Sequence, residues 1–392
     1  MSMAASERSA LMMPTRVIAV EPLTIDAAGH LIQIECDESV DAAGRRALTS
    51  AFSHLISGGE PHQRILASMS FDSEIPEAGG FARGISAVQL VRSVADAVDG
   101  LVMAAQVPDT TAGRADELPA VVGLRASAVS TDEGAVVLLG GPSRQVALQA
   151  LSESAALIGS DTVLIDRRDR SVTGIPGVVN MGGASVETAR WVAPGQAGLR
   201  TQHEPEQLRA VVFLEHAVNE TSSWHPVSTP EAIAMAAAAV PSLSAVKRPL
   251  VALDGIFQMA PGAVVVRYRK PEDIAELIAE VLAHPVERTW AQAANTRAVE
   301  SARTPAIGDV RRAAMIDVIT DGQYMAFCTT QYAISAVGGT APMMWDLADD
   351  WIGIDELTSR LVDAMGEPEG DAREIVGASV EALVGLGVLV RV

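Results

Sequence analysis

Apolar and polar positions alternate along His30–Cys36 (HLIQIEC) and, less strictly, along Arg16–Pro22 (RVIAVEP), which predicts two early strands. Between Ala42 and Ser57 the period changes: Leu48, Phe52 and Leu55 recur at helical spacing. Ile65–Phe71 and Val88–Ala97 continue a mixed pattern, Gly100–Ala105 (GLVMAA) reads as a strand, and Pro108–Glu117 reads as a polar loop. Further on the rhythm becomes regular. Val136–Leu139 is predicted as a strand, Arg144–Ile158 as a helix, Thr162–Asp166 (TVLID) and Ala210–Leu214 (AVVFL) as strands. Pro230–Ala239 is a helix with Thr229 in N-cap position, and Leu250–Leu253 and Ala263–Tyr268 follow as apolar segments. Pro271–Leu282 carries Ile274, Leu277, Ile278 and Leu282 on one face and acids in its first turn. Alternating strands and helices predict an α/β layer structure.

The last part follows a different pattern. Val310–Thr320 and Gln323–Thr330 predict a hairpin around Asp321-Gly322, and Gln331–Ala336 a third strand before Gly338-Gly339. Three helices follow, over Ala341–Asp349, Ile354–Met365 and Asp371–Leu386. Three strands and three helices make a compact α+β, winged-helix-like domain. The expected organisation is a flexible tail (residues 1–15), an N-terminal α/β subdomain (16–128), a central α/β domain (129–285), a linker (286–306) and this terminal domain (307–392).

Composition narrows the function classes. No apolar run reaches the ~18–20 residues of a membrane span, and the longest, Ala232–Val240, is Ala-rich and ends at Pro241. The N-terminus lacks a signal-peptide layout, so a cytoplasmic location is expected. Cys36 and Cys328 lie far apart outside any metal-binding spacing, so no metal site is expected. A net charge of −20 repels phosphate backbones, which argues against nucleic acid as a partner. Only Lys247 and Lys270 stand among 29 Lys and Arg, so a lysine-dependent phosphate site has two candidates.

The stretch VVLLGGPSRQVALQAL (Val136–Leu151) is a strand, a glycine turn and a helix, the layout of a phosphate-binding loop. Such a loop needs curled backbone N–H groups, a Lys for the β/γ oxygens and a Ser/Thr for Mg²⁺. Gly140, Gly141, Ser143 and Arg144 supply the turn, but about three residues of curl and the Lys-Ser pair are missing. With GSDTVLID some twenty residues on, the Gly174–Gly177 turn and AVVFLEHA, residues 16–285 resemble the HPr kinase/phosphorylase and PEP-carboxykinase-like P-loop kinases. That resemblance implies an Asp pair for the metal and the attacking hydroxyl. Asp161 matches the first Asp, and Thr162 stands in place of the second. The resemblance therefore implies a degenerate, pseudokinase-like core with no catalytic residues. The alternative is an active kinase on a precursor peptide, with Arg144 and Asp161 in altered roles and ATP and Mg as cofactors.

The terminal domain resembles PqqD-type RiPP recognition elements: a hairpin, Tyr332, the Gly338-Gly339-Thr340 turn, a helix holding Trp345 and a closing helix before GLGVLV. The resemblance implies binding of the leader of a ribosomally made precursor peptide by strand addition. The peptide is expected beside Gln331, Tyr332, Ile334 and Ala336, with Val376, Val380 and Leu383 as the other wall. The implied partners are that leader and separate RiPP modifying enzymes, and the architecture is similar to recognition proteins of daptide-type clusters. A DNA-binding winged helix is disfavoured, because residues 306–392 hold five Arg, no Lys and 14 acids, a net of −9.

Overall fold

The computed structural model describes residues 22–70, 79–107, 115, 117–181, 189–258, 260, 262–294, 296 and 304–392. The tail and all of the Arg16–Pro22 segment except Pro22 lie outside these residues, as does most of the polar loop at 108–117.

The first layer is a sheet in the order β1-β2-β3-β4, built from β1 (Leu23–Ala27), β2 (His30–Cys36), β3 (Gln63–Ser68) and β4 (Gly80–Arg83). β1 and β2 form an antiparallel hairpin, and β2, β3 and β4 run parallel, which requires crossovers. α1 (Ala42–Phe52) supplies the first crossover and α2 (Ala87–Ala105) follows β4. Asp41 caps α1 through Gly44 N–H at 2.7 Å. Gly100–Ala105 is the last turn and a half of α2, not a strand. Leu90, Val91, Val94, Val98 and Val102 keep one helical face buried through it, so the period decides over the local apolar run.

The central sheet has ten strands among the described residues. β5 (Val121–Leu124), β6 (Ser127–Thr131), β7 (Gly134–Leu139), β8 (Ala156–Gly159), β9 (Thr162–Asp166) and β10 (Ser171–Ile175) come first. The small strands β11 (Val179–Asn180) and β12 (Trp191–Val192) pair with each other, and β13 (Arg200–Thr201) edges the sheet beside β8. The long β14 (Glu206–His216) runs parallel to β7 and to β16 (Ala263–Tyr268), and β15 (Ser223–Val227) lies antiparallel on β16. β5 and β6 thus belong to the central sheet.

Side-chain alternation splits this sheet into two cores. Val137, Leu139, Val211, Phe213 and Val265 pack on α4 (Thr229–Ala237) and α5 (Pro249–Phe257). Val136, Leu138, Val212, Leu214, Val264 and Val266 pack on α3 (Ser143–Ala150) and α6 (Asp273–Ala283). The chain leaves α3 at Ala150, and Ala156–Gly159 is strand β8 rather than the end of a long helix; Ser152–Ser154 separate the two. Ser228, one residue before the expected Thr229, caps α4 in a reciprocal box with Glu231. Leu250–Leu253 lies inside α5.

In the last part the expected first strand is two. β18 (Val310–Arg312) pairs with β22 (Leu389–Arg391), while β19 (Met315–Thr320) forms the Asp321-Gly322 hairpin with β20 (Tyr324–Thr329). β21 (Ile334–Gly338) lies on β20, and β17 (Gln292–Ala293), contributed by the linker, covers β19, giving the order β17-β19-β20-β21. Val318, Met325 and Phe327 pack with Trp345 of α7 (Ala341–Leu347) and the buried faces of α8 (Ile354–Met365) and α9 (Ala372–Gly385). The opposite face, Ile319, Ala326 and Cys328, joins the α4/α5 core of the central domain. The sheet is therefore buried on both sides.

Asp317 fixes that second contact. Its carboxylate is fully buried and accepts the backbone N–H groups of Leu250 and Val251, each at 3.0 Å, and Arg248 at 3.2 Å. Arg248, the residue before α5, provides no side-chain cap. Asp317 supplies that cap from another domain, where the helix dipole also favours it.

Candidate functional site

Two places carry the sequence expectations: the turn between β7 and α3, and the β21 edge.

At the turn, Gly140 has φ 129° and Gly141 has φ 55°. A Cβ on Gly140 would lie 2.4 Å from the Leu214 carbonyl oxygen, so β7 and β14 approach more closely than any side chain permits. The turn closes on itself. Ser143 N–H donates to Gly140 O at 3.2 Å, Arg144 N–H to Gly141 O at 3.3 Å and Gln145 N–H to Pro142 O at 3.2 Å. A phosphate cradle needs those same N–H groups unspent and converging. Ser143 is the first residue of α3 and not its cap.

Arg144 also turns inward. Its Nε donates to Gly141 O at 3.2 Å, and its guanidinium meets Asp161 at 3.1 Å, both side chains being mostly buried. Arg92 of α2 reaches the other Asp161 oxygen at 3.4 Å, binds Asp96 at 2.7 Å and stacks over the Trp191 ring at 4.5 Å. Asp161 is thus held between two guanidiniums. Thr162 is buried. Asp99 of α2 sits beside this group. Burial pushes its carboxyl up to about 7, the Asp161 charge adds to the shift, and the Thr162 hydroxyl opposes it. Sequence reasoning missed Arg92, Asp96 and Asp99, because they lie on an ordinary amphipathic helix distant in sequence. The assembly joins the N-terminal subdomain to the central domain. Among the described residues no group of three or more His, Cys, Asp or Glu could hold a metal ion.

At the other place, β21 has β20 as its ladder partner and no strand on its far side among the described residues. Thr329 N–H donates to Ala333 O at 2.9 Å, which sets the alternation. Ser335 and Val337 face β20 with their backbone groups, and Ile334, Ala336 and Gly338 turn theirs outward. Ile334 through Val337 are all half-buried. Gln331 is exposed, and Tyr332 turns the chain at φ 63°. Tyr332, Ile334 and Ala336 pack against the central-domain core, whereas Val337 packs toward the terminal helices.

Val376, Val380 and Leu383 stand elsewhere than expected. They are 8%, 0% and 4% exposed, inside the core with Phe327 and Trp345, and offer no wall to a groove. Their spacing of four and then three residues places them on one face of α9, and that face points inward. The stripe left outside on α9 is Ile375, Ala378, Ala382 and then Leu386.

No helix among the described residues is long and apolar enough to cross a membrane. No family model matches the chain, and no curated protein matches it. Among solved structures, the Hpr(Ser) kinase/phosphatase from Coxiella burnetii shares 10% identity with it, covering 40% of this chain and 94% of that one, at a TM-score of 0.24. The mixed α/β architecture accordingly rests on the elements described above.

Proposed function

We propose that this chain is a non-catalytic recognition protein that captures the leader of a ribosomally made precursor peptide and presents it to separate modifying enzymes. The observation that carries this reading is the open β21 edge in a sheet whose other edge is occupied by the linker strand β17. Ile334, Ala336 and Gly338 direct backbone donors and acceptors outward, in the spacing that an added strand uses. On this reading the central domain is a degenerate HPr-kinase-like core that acts as a docking scaffold. The closed turn at Gly140–Gln145 and the capture of Asp161 by Arg144 and Arg92 support that part: phosphoryl transfer depends on groups arrayed around the phosphates, and these groups neutralise each other.

The test is a search for a short precursor gene beside this one, followed by titration of the full chain with the fluorescein-labelled leader of any such precursor. The full chain is required, because removing residues 1–306 would expose the face of Ile319, Ala326 and Cys328. Saturable binding that Ala336→Pro abolishes is expected. Proline removes the middle of the three outward N–H groups and leaves the β20–β21 ladder untouched. Absence of binding at high micromolar peptide would overturn the reading. So would calorimetric micromolar affinity for Mg-ATP together with transfer of phosphate to the precursor.

A further inference from the structure

Ile334, Ala336 and Gly338 share one face of β21, and along it that face steps from a large side chain to a methyl group to none. The last step is covered from the inner side. Tyr324 of β20 stands opposite Gly338, and a Cβ on Gly338 would lie 2.7 Å from Tyr324 Cε1 and 2.8 Å from its Cδ1. The phenol ring therefore leans over the glycine and occupies the place of its missing side chain. Tyr324 points to the same side of the sheet as Ala326 and Cys328, which join the central-domain core. It stands at the Asp321-Gly322 end of the ladder and is itself only half-buried.

Side chains two strands apart are separated by roughly 9.5 Å, and the middle strand's own side chain normally stands between them. At Gly338 none does. A strand added to β21 would set one residue opposite Gly338 on this face, and an aromatic side chain there would reach the Tyr324 ring across the glycine. Two such rings pair in an offset or edge-to-face arrangement at about 4.5–7 Å between centroids. An alanine at that place would leave Gly338 and the flank of the ring uncovered. Opposite Ile334 the same face is already filled, so the demand falls on one position of the incoming strand.

We infer that Tyr324 is a specificity-determining residue of the β21 edge, and that the peptide recognised there carries an aromatic side chain opposite Gly338. The inference rests on strand addition at β21 as proposed above, and adds a side-chain requirement to main-chain pairing.

The probes are two heptapeptides, Lys-Thr-Val-Trp-Val-Thr-Lys and the same sequence with Ala in place of Trp. Both carry fluorescein on the last lysine and are titrated into the full chain by anisotropy. Their lysines complement a terminal domain of net charge −9. The Trp peptide is expected to bind saturably and about tenfold more tightly than the Ala peptide. Tyr324→Ala should remove this preference by weakening the Trp peptide alone. Gly338→Ala, whose methyl group displaces the ring, should do the same, and Ala336→Pro should abolish binding of both peptides. Circular dichroism and the melting temperature establish that each variant folds. Equal binding of the two peptides, or a preference that survives Tyr324→Ala and Gly338→Ala, overturns this inference and leaves strand addition standing. Binding of neither peptide overturns it together with strand addition.

Discussion

Removal of Asp317 is the sharpest test of how the terminal domain is held. The carboxylate is fully buried and makes three charge-assisted contacts: two α5 N–H groups at 3.0 Å and Arg248 at 3.2 Å. Hydrogen bonds to a charged group contribute ~1.5–3 kcal/mol each, and breaking a buried ion pair costs ~3–5 kcal/mol. Arg248 is half-exposed, so it recovers water when its partner leaves, which lowers the cost. The two N–H groups of α5 have no such recourse. Asp317→Ala is therefore expected to cost about 3 kcal/mol, and Arg248→Ala only about 1 kcal/mol, since the carboxylate keeps both N–H donors. A chain of several domains does not unfold in one step, so local opening is the proper readout. Hydrogen exchange along Pro249–Phe257 should accelerate roughly a hundredfold in Asp317→Ala, and far less in Arg248→Ala. Equal acceleration in the two variants, or none in either, would refute the argument that the cap rather than the ion pair carries the contact.

The β7–α3 turn makes a paired prediction: Gly140→Ala should destabilise by about 3 kcal/mol through its clash with Leu214 O, while Gly141→Ala, which faces open space, should cost only about 1 kcal/mol for its positive φ. Thermal melts of both variants distinguish backbone contact from conformational strain. Asp99 gives a pH dependence. Its folded pKa, about 7, lies above the unfolded 3.8, so the folded state holds the proton more tightly. Its contribution favours folding most below pH 3.8 and is lost as pH rises through 7. Relative to Asp99→Asn, the parent should thus lose on the order of 2–4 kcal/mol by pH 8, measured as the difference in melting curves between pH 5 and 8. His54 acts oppositely: burial lowers its pKa, despite the hydrogen bond to Pro176 O at 2.5 Å. Its contribution is present above pH 6.5 and is lost as pH falls below that, and His54→Gln should flatten the slope there.

Period and turn chemistry made much of the fold legible. β2, β7, β9, β16, α6 and α8 follow from alternation or helical spacing, and the Asp321-Gly322 hairpin follows from its turn pair. The failures share one cause. Gly100–Ala105 and Ala156–Gly159 are short apolar runs, and in such runs local composition does not separate strand from helix. Each was decided outside the run itself, by the continuing face of α2 and by the pairing of β8 with β6.

The candidate site was legible to the same extent and for the same reason. That Gly140-Gly141 marks a strand-to-helix turn and that Asp161 lies near it could be read along the chain. What Asp161 does there could not, because its second arginine comes from α2, 69 residues earlier. At the other end, the third strand was legible but its two faces were not. Alternation places Ile334 and Ala336 together, and only the contact with the central domain assigns them to its core. Val376, Val380 and Leu383 show the converse. An apolar stripe on a helix signals burial before it signals a binding wall, and a terminal helix packed on a sheet spends its best stripe inside. For the leader proposed above, what remains is the backbone. A strand edge recognises main chain first, so its presence at β21 is compatible with many sequences, and the choice among them falls to the half-exposed side chains on either side of it.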